Sequence, residues 1–321
     1  MNTGRHEPAI VVIGGGTGLS VLLKGLKRYT SKLTAVVTVS DDGGSSGRLR
    51  TELGVLPPGD IRNCLVALAE TETLMDKVFQ HRFRQEGSLK GHNLGNLLLA
   101  AMTEITGDFV SAIREVSRVL AVRGKVIPAT LETITLGAIM TDGQRVTGET
   151  AIREYGGRIQ EIFLLPECSP VPETLQAIAE ADAIIIGPGS LYTSIIPNLL
   201  VKGISEAIAA SPAATFYISN IMTEQGETDE FTAADHLRAI ARYSGRQLIE
   251  YAVVNCGSID ENRLRRYQEE KAIPVRTAGE EIVKMGINII ERDLVSHTDV
   301  AWHDSDKLAR AILENTKREN L

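Results

Sequence analysis

Two glycine-rich segments in this chain each follow a run of apolar, mostly β-branched residues and each precede a helical pattern. Gly14-Gly15-Gly16-Thr17-Gly18 comes after Ala9–Ile13, and Gly187-Pro188-Gly189-Ser190 comes after Ala183–Ile186. Residues without side chains let a ligand approach the main chain. The first N–H groups of a helix lack partners within it, so such turns suit anions and phosphate above all. Gly15, Gly16 and Thr17 are the candidate contacts at the first turn. Gly187, Gly189 and Ser190 are those at the second, with the hydroxyls of Thr193 and Ser194 adding donors. Each turn can also serve only to pack a helix onto a strand, but two in one chain suit a ligand with two recognised ends, such as a nucleotide carrying a further group. Neither standard template fits the first turn. The dinucleotide fingerprint needs glycine where Leu19 stands, and the phosphate loop needs Lys-Ser/Thr directly after its last glycine, whereas Lys24 comes too late.

The segment Ser40–Arg48 follows a second buried run, Leu33–Val39. Ligands of open α/β sheets gather at the carboxyl ends of strands, which would put this loop beside the first turn. Asp41 and Asp42 can hold Mg²⁺ or a ribose hydroxyl, while Ser45, Ser46 and Arg48 can hold phosphate oxygens. Asp60, in Pro57-Pro58-Gly59-Asp60-Ile61-Arg62-Asn63, is placed either to cap a helix or to complete a hard-metal site with Asp42; Arg62 and Asn63 follow it toward the same region. In Gly91-His92-Asn93-Leu94-Gly95-Asn96 the two asparagines, three apart, share the first turn of a helix and can bond a base or a sugar. His92 has an ordinary pKa near neutrality. It has no second histidine at zinc-ligand spacing.

The elements that must position these residues read as an α/β alternation. The first strand, a helix with Leu19, Leu22, Leu23 and Leu26 on one face, and the second strand form a β-α-β unit on a parallel sheet. Residues 60–120 read as helices only. From Lys125 to Leu165 short alternating runs and the turns Asp142-Gly143 and Gly156-Gly157 indicate a small antiparallel excursion. The alternation then resumes, with strands at Ala183–Ile186, Ala214–Ile218 and Leu248–Val254 and a closing helix at Lys307–Glu314. The expectation is one Rossmann-like α/β domain over residues 1–321, mostly parallel with helices on both faces, and a frayed tail at 315–321.

Of the 321 residues 43% are hydrophobic and 23% charged, which are globular values. The net charge of −7 disfavours a nucleic-acid coat but leaves room for a local anion site. Cys64, Cys168 and Cys256 are sparse and unpaired in spacing, as in reduced cytosolic proteins, and each is expected to be a small buried residue. No apolar run spans a bilayer, and no signal-type segment opens the chain, so a cytoplasmic location is expected.

Taken in order, Ile13–Gly18, Ser40–Arg48, Pro58–Asn63, Gly91–Asn96 and Gly187–Ser194 resemble the YvcK-type branch of the CofD-like family, over essentially the whole chain. The resemblance implies a Rossmann-like fold. The CofD relatives are Mg²⁺-dependent transferases of coenzyme F420 biosynthesis. They move a phospholactyl-type group from a guanine-nucleotide-linked donor to a deazaflavin, and their metal aspartates correspond to Asp42 and Asp60. The YvcK branch is similar to proteins needed for growth on gluconeogenic carbon sources and for normal cell shape. They bind UDP-sugars, notably UDP-N-acetylglucosamine, without an assigned reaction. Arg263 and Tyr267 are the C-terminal candidates for that ligand. The Gly-Gly-Ser-Ser-Gly-Arg loop departs from the transferase pattern.

Three readings follow. The first is a UDP-N-acetylglucosamine-binding regulator with a protein target in cell-wall precursor metabolism, plausibly a homodimer. The second is a Mg²⁺-dependent transferase using a nucleotide-diphosphate-linked donor. The third, an NAD-type dehydrogenase with Asp41 on the ribose, is disfavoured by the broken glycine fingerprint, and no tightly bound redox cofactor is expected.

Overall fold

The computed structural model describes residues 7–70, 73–298 and 300–316. Among the described residues ten strands lie in two sheets. In chain order they are β1 Ile10–Gly14, β2 Leu33–Val37, β3 Lys125–Pro128, β4 Thr135–Met140, β5 Arg145–Thr147, β6 Ile159–Leu165, β7 Ala183–Ile186, β8 Ala214–Ile218, β9 Tyr251–Asn255 and β10 Asn288–Arg292. Seven form a wholly parallel sheet in the order β10-β9-β8-β7-β1-β2-β3. The chain therefore winds outward from β1 to β3, then returns to the centre at β7 and winds outward the other way. The reversal falls between β1 and β7, the strands that carry the two glycine turns. At such a switch point the connections leave in opposite directions and open a crevice at the strands' carboxyl ends.

The central strands are buried along their whole length because helices cover both faces, which is why β1 and β7 read as Ile/Val runs and β8 as a mainly apolar one, without alternation. The helix Gly16–Leu26 buries Leu19, Leu22, Leu23 and Leu26 against the helices Gly59–Leu68 and Ser305–Thr316. At about 1.5–3 kcal/mol for each fully buried leucine, those four anchor the first turn to the core. The three-stranded antiparallel sheet β5-β4-β6 shares that core, since Leu136, Ala138, Ile159 and Ile162 belong to the same buried cluster as the main-sheet residues. No single helix among the described residues is long and apolar enough to cross a membrane.

Several boundaries differ from the sequence reading. Lys125–Pro128 is not part of the antiparallel excursion but the parallel edge strand β3 beside β2. Four residues ending in proline are too short for their periodicity to reveal which sheet they join. Gly44–Leu53 is a helix, so the second half of the expected loop Ser40–Arg48 is helical. Its Gly-Ser-Ser-Gly start is poor helix-forming sequence, and tertiary hydrogen bonds to Ser45 and Ser46 hold it instead. Asp60 does not cap: Pro58 is the N-cap and Asp60 lies inside the first turn. The helices Glu149–Tyr155 and Gly279–Lys284 and the edge strand β10 had no counterpart in the sequence reading. Cys64 and Cys168 are buried, but Cys256 is exposed. The closing helix reaches Thr316, and residues 317–321 of the expected frayed tail lie outside the described residues.

Candidate functional site

The two glycine turns interlock because β1 and β7 are neighbours in register, with Ile13 opposite Ile186. A Cβ on Gly18 would stand 3.0 Å from the Pro188 carbonyl oxygen, and one on Gly189 would stand 3.2 Å from that of Gly15. At Gly15 it would meet Asp60 Oδ2 at 2.7 Å and Thr38 Cγ2 at 2.8 Å. No larger residue fits there without moving the cradle, and Gly16, at φ +71, adopts a left-handed conformation that glycine favours. The backbone at the start of helix Gly16–Leu26 thus opens onto a cavity of about 1050 Å³ at the carboxyl edge of the sheet.

That cavity gathers part of the expected set. Gly15, Gly16, Thr17, Asp41, Asp60, Gly189, Ser190, Ser194 and Tyr267 line it, as does Asn63. Others lie outside its wall. Gly187 is buried at the base of the second turn, and Thr193 is buried behind it, donating its hydroxyl to Glu227 at 2.9 Å. Ser45, Ser46, Asn93 and Asn96 tie three helix starts together. Ser45 Oγ accepts the Asn93 N–H at 3.1 Å and Ser46 Oγ the Gly59 N–H at 3.1 Å, while Asn93 caps its helix by accepting from the Asn96 N–H at 3.2 Å. Asn96 also accepts from the buried Arg62 guanidinium at 2.8 Å. Arg48 donates to the carbonyls of Lys90 and Ser88 at 2.6 and 3.0 Å. His92 is buried against Ser45, and burial together with the Arg48 charge holds its pKa down. Arg263 is held by Asp260 and by the Ser296 carbonyl, beside a separate cavity of about 280 Å³.

The two adjacent aspartates part company. Asp41 faces the cavity, and its Oδ1 accepts the Gly43 N–H at 2.8 Å. Asp42 turns away to Thr150, accepting that residue's backbone N–H at 2.9 Å and its hydroxyl at 2.8 Å. Both lie in the loop beyond β2, where no strand alternation fixes their directions, and sequence spacing did not say which would face the cavity.

Residues absent from the sequence reading complete the wall. Glu149, Thr150, Arg153 and Glu154 come from the helix Glu149–Tyr155, and Asn220, Glu224 and Glu227 from the segment after β8. The signal that could have found the latter is the one used for Ser40–Arg48, a polar run after a buried strand. Ser190 donates to Glu224 Oε2 at 2.5 Å, Asn220 donates to Glu224 Oε1 at 3.0 Å, and the Gly189 N–H donates to Asn220 at 3.3 Å. The second turn is thereby clamped to β8.

Electrostatically the cavity is acidic, with Asp41, Asp60, Glu149, Glu154, Glu224, Glu227 and Glu270 against the single Lys or Arg, Arg153, among its described lining residues. Burial, then the Asp41 charge, pushes Asp60 up to about 6. Burial, then Asp41 and Asp60, pushes Glu149 up to about 9. Glu224 and Glu227 are raised by burial as well. The far end is less polar, where Ile221, Met222, Ala301 and Tyr267 pack together and the Tyr267 hydroxyl accepts the Ala301 N–H at 3.1 Å. His303 is buried there with its Nε2 unpartnered.

Among the described residues no three His, Cys, Asp or Glu side chains converge as a metal cage. Asp41 and Asp60 do fit Mg²⁺, which typically takes one or two carboxylates and completes its shell with water and substrate phosphate. Burial and, after it, the Asp41 charge raise Asp60, and a divalent cation would relieve the repulsion between the two.

Residues 10–295 match the family described as 2-phospho-L-lactate transferase CofD. The chain is 52% identical over 314 residues to the gluconeogenesis factor of Bacillus subtilis strain 168, covering 97% of this chain and 99% of that protein. It is 45% identical over 316 residues to the gluconeogenesis factor of Listeria innocua, covering 98% and 97%. A crystal structure of a UPF0052 family protein from Bacillus halodurans superposes with a TM-score of 0.93 at 51% identity, covering 96% of this chain and 100% of that one.

Proposed function

This chain belongs to the CofD family, and from that premise we propose that it binds a nucleotide-sugar, UDP-N-acetylglucosamine, as a regulatory factor needed for growth and normal cell shape on gluconeogenic carbon sources. The observation that carries the reading is the pair of interlocked glycine turns at the switch point, facing one cavity of about 1050 Å³. That size is at the upper end for small-molecule sites and suits an extended ligand. The diphosphate sits on the Gly15–Gly18 backbone, and the base lies at the end formed by Tyr267 and Met222. The name gluconeogenesis factor, carried by the Bacillus and Listeria relatives, supports the link to carbon supply. The regulator works in the cytoplasm, as a homodimer, through a protein target in cell-wall precursor metabolism.

The test is isothermal titration calorimetry with UDP-N-acetylglucosamine, with and without Mg²⁺, using GDP and NAD as controls. Saturable binding selective for the UDP-sugar, without turnover, is the expected outcome. Binding of GDP or NAD in its place overturns the reading. Light scattering of the purified chain tests the dimer.

A second reading is favoured by one observation, the Asp41–Asp60 pair beside the phosphate cradle. In a transferase acting on a nucleotide-diphosphate-linked donor these two residues, and not Asp42, hold the Mg²⁺ ion, which would screen charge on the leaving diphosphate. Asp41→Asn and Asp60→Asn each abolish turnover under this reading. Turnover of some donor by the wild type that both variants retain would refute it.

A further inference from the structure

We propose that Arg153 is the anion clamp of the cavity, closing its guanidinium on the phosphate oxygens of a ligand seated on the glycine turns. The proposal rests on the reading of this cavity as a nucleotide-diphosphate site and adds the residue that makes anion binding feasible there.

A diphosphate meets an acidic cavity, with seven Asp or Glu side chains among the described lining residues, of which Glu149 keeps its proton, and one guanidinium. Backbone N–H groups supply only partial charges, so a full positive charge must come from a side chain or a bound cation. Arg153 is the side chain placed to supply it. Helix Glu149–Tyr155 presents Glu149, Thr150, Arg153 and Glu154 to the cavity, the spacing of a single helix face. Two features fix that helix. Thr150 is bonded to Asp42, the residue directly after the cavity-lining Asp41, and Ile152 is fully buried on the opposite face. The stem of Arg153 therefore starts from a held backbone while its head is exposed.

The head is also uncommitted. Among the described residues Arg153 makes no ion pair within 4.0 Å, although its charge acts on Glu149, Glu224 and Glu227. Arg158 and Arg238 are engaged, on Glu230 and Glu281, and what sets Arg153 apart from other unpaired exposed arginines such as Arg84 and Arg246 is its place on the cavity wall. A guanidinium that faces carboxylates without pairing them is free to turn toward a stronger anion. Its planar fork matches two phosphate oxygens, which a lysine does not.

The experiment is calorimetry on the full chain with inorganic pyrophosphate and with UDP-N-acetylglucosamine, comparing wild type, Arg153→Lys and Arg153→Met at two ionic strengths. Arg153→Met is expected to weaken pyrophosphate by about 10- to 100-fold and to flatten the salt dependence, with Arg153→Lys between the two. Thermal melting should be unchanged, because the head has no structural partner. Equal pyrophosphate affinity in wild type and Arg153→Met overturns the proposal, as does a wild type that binds no pyrophosphate. If pyrophosphate binding depends on Arg153 but the UDP-sugar does not bind, the clamp stands and the nucleotide-sugar reading falls.

Discussion

One carboxylate oxygen of Asp42 accepts both the backbone N–H and the hydroxyl of Thr150, at 2.9 and 2.8 Å, and so fastens the end of the β2 loop to the helix that walls the cavity. Asp42 thereby reaches the cavity wall through Thr150, which lines it. Asp42→Ala should lower stability by about 1–2 kcal/mol, the usual cost of a lost helix cap, and weaken ligand affinity as the helix loosens. Thr150→Val should reproduce part of both effects. In neither variant should any Mg²⁺ dependence disappear; loss of it in Asp42→Ala alone would make Asp42 a metal ligand after all.

The cradle at Gly15 has no room. An alanine there pushes on Asp60 Oδ2 and on the Thr38 methyl, at 2.7 and 2.8 Å from its Cβ. Gly15→Ala is expected to cost about 1–3 kcal/mol from overpacking and to abolish phosphate-dependent binding. Chemical denaturation and calorimetry measure the two separately, and intact binding would show that the first turn does not seat the ligand.

The hydroxyls of the second turn should divide by role. Thr193 is buried and bonds Glu227 at 2.9 Å, so Thr193→Val leaves a buried carboxyl short of a partner and costs about 1–3 kcal/mol of stability. Ser194 lines the cavity, so Ser194→Ala should spare stability and reduce ligand affinity. Equal melting temperatures in the two variants would contradict this division.

Glu149 gives the site a pH signature. Its folded pKa, near 9 against an ordinary 4.5, means that the folded chain keeps a proton the unfolded chain releases. Stability should therefore fall as pH rises from about 4.5 toward 9 and level off above that, and Asp60 adds a smaller fall from about 3.8 to 6. Glu149→Gln cannot ionise, so its melting profile should be flatter. Near pH 8 it should be more stable than the wild type. Parallel profiles for the two proteins would show that Glu149 is not a buried neutral acid.

Local pattern was enough to locate the strands Ala183–Ile186 and Ala214–Ile218 and the two glycine turns, because a continuous apolar run and a side-chain-free turn are properties of adjacent residues. The same logic brought Asp41, Asp60, Ser190 and Ser194 to one region, and they line one cavity, since it needed only the rule that sites gather at strand ends. Tertiary structure decided the rest. Whether Asp41 or Asp42 faces the cavity depends on how the chain leaves β2. Whether Ser45, Ser46, Asn93 and Asn96 meet a ligand or one another depends on three helix starts, distant in sequence, converging. Arg153 and Glu149 reach the cavity because their helix is held to the loop after β2 through Thr150 and Asp42, a contact between segments more than a hundred residues apart in the chain. Periodicity reports which face of an element is buried, but not which other element will lie against it.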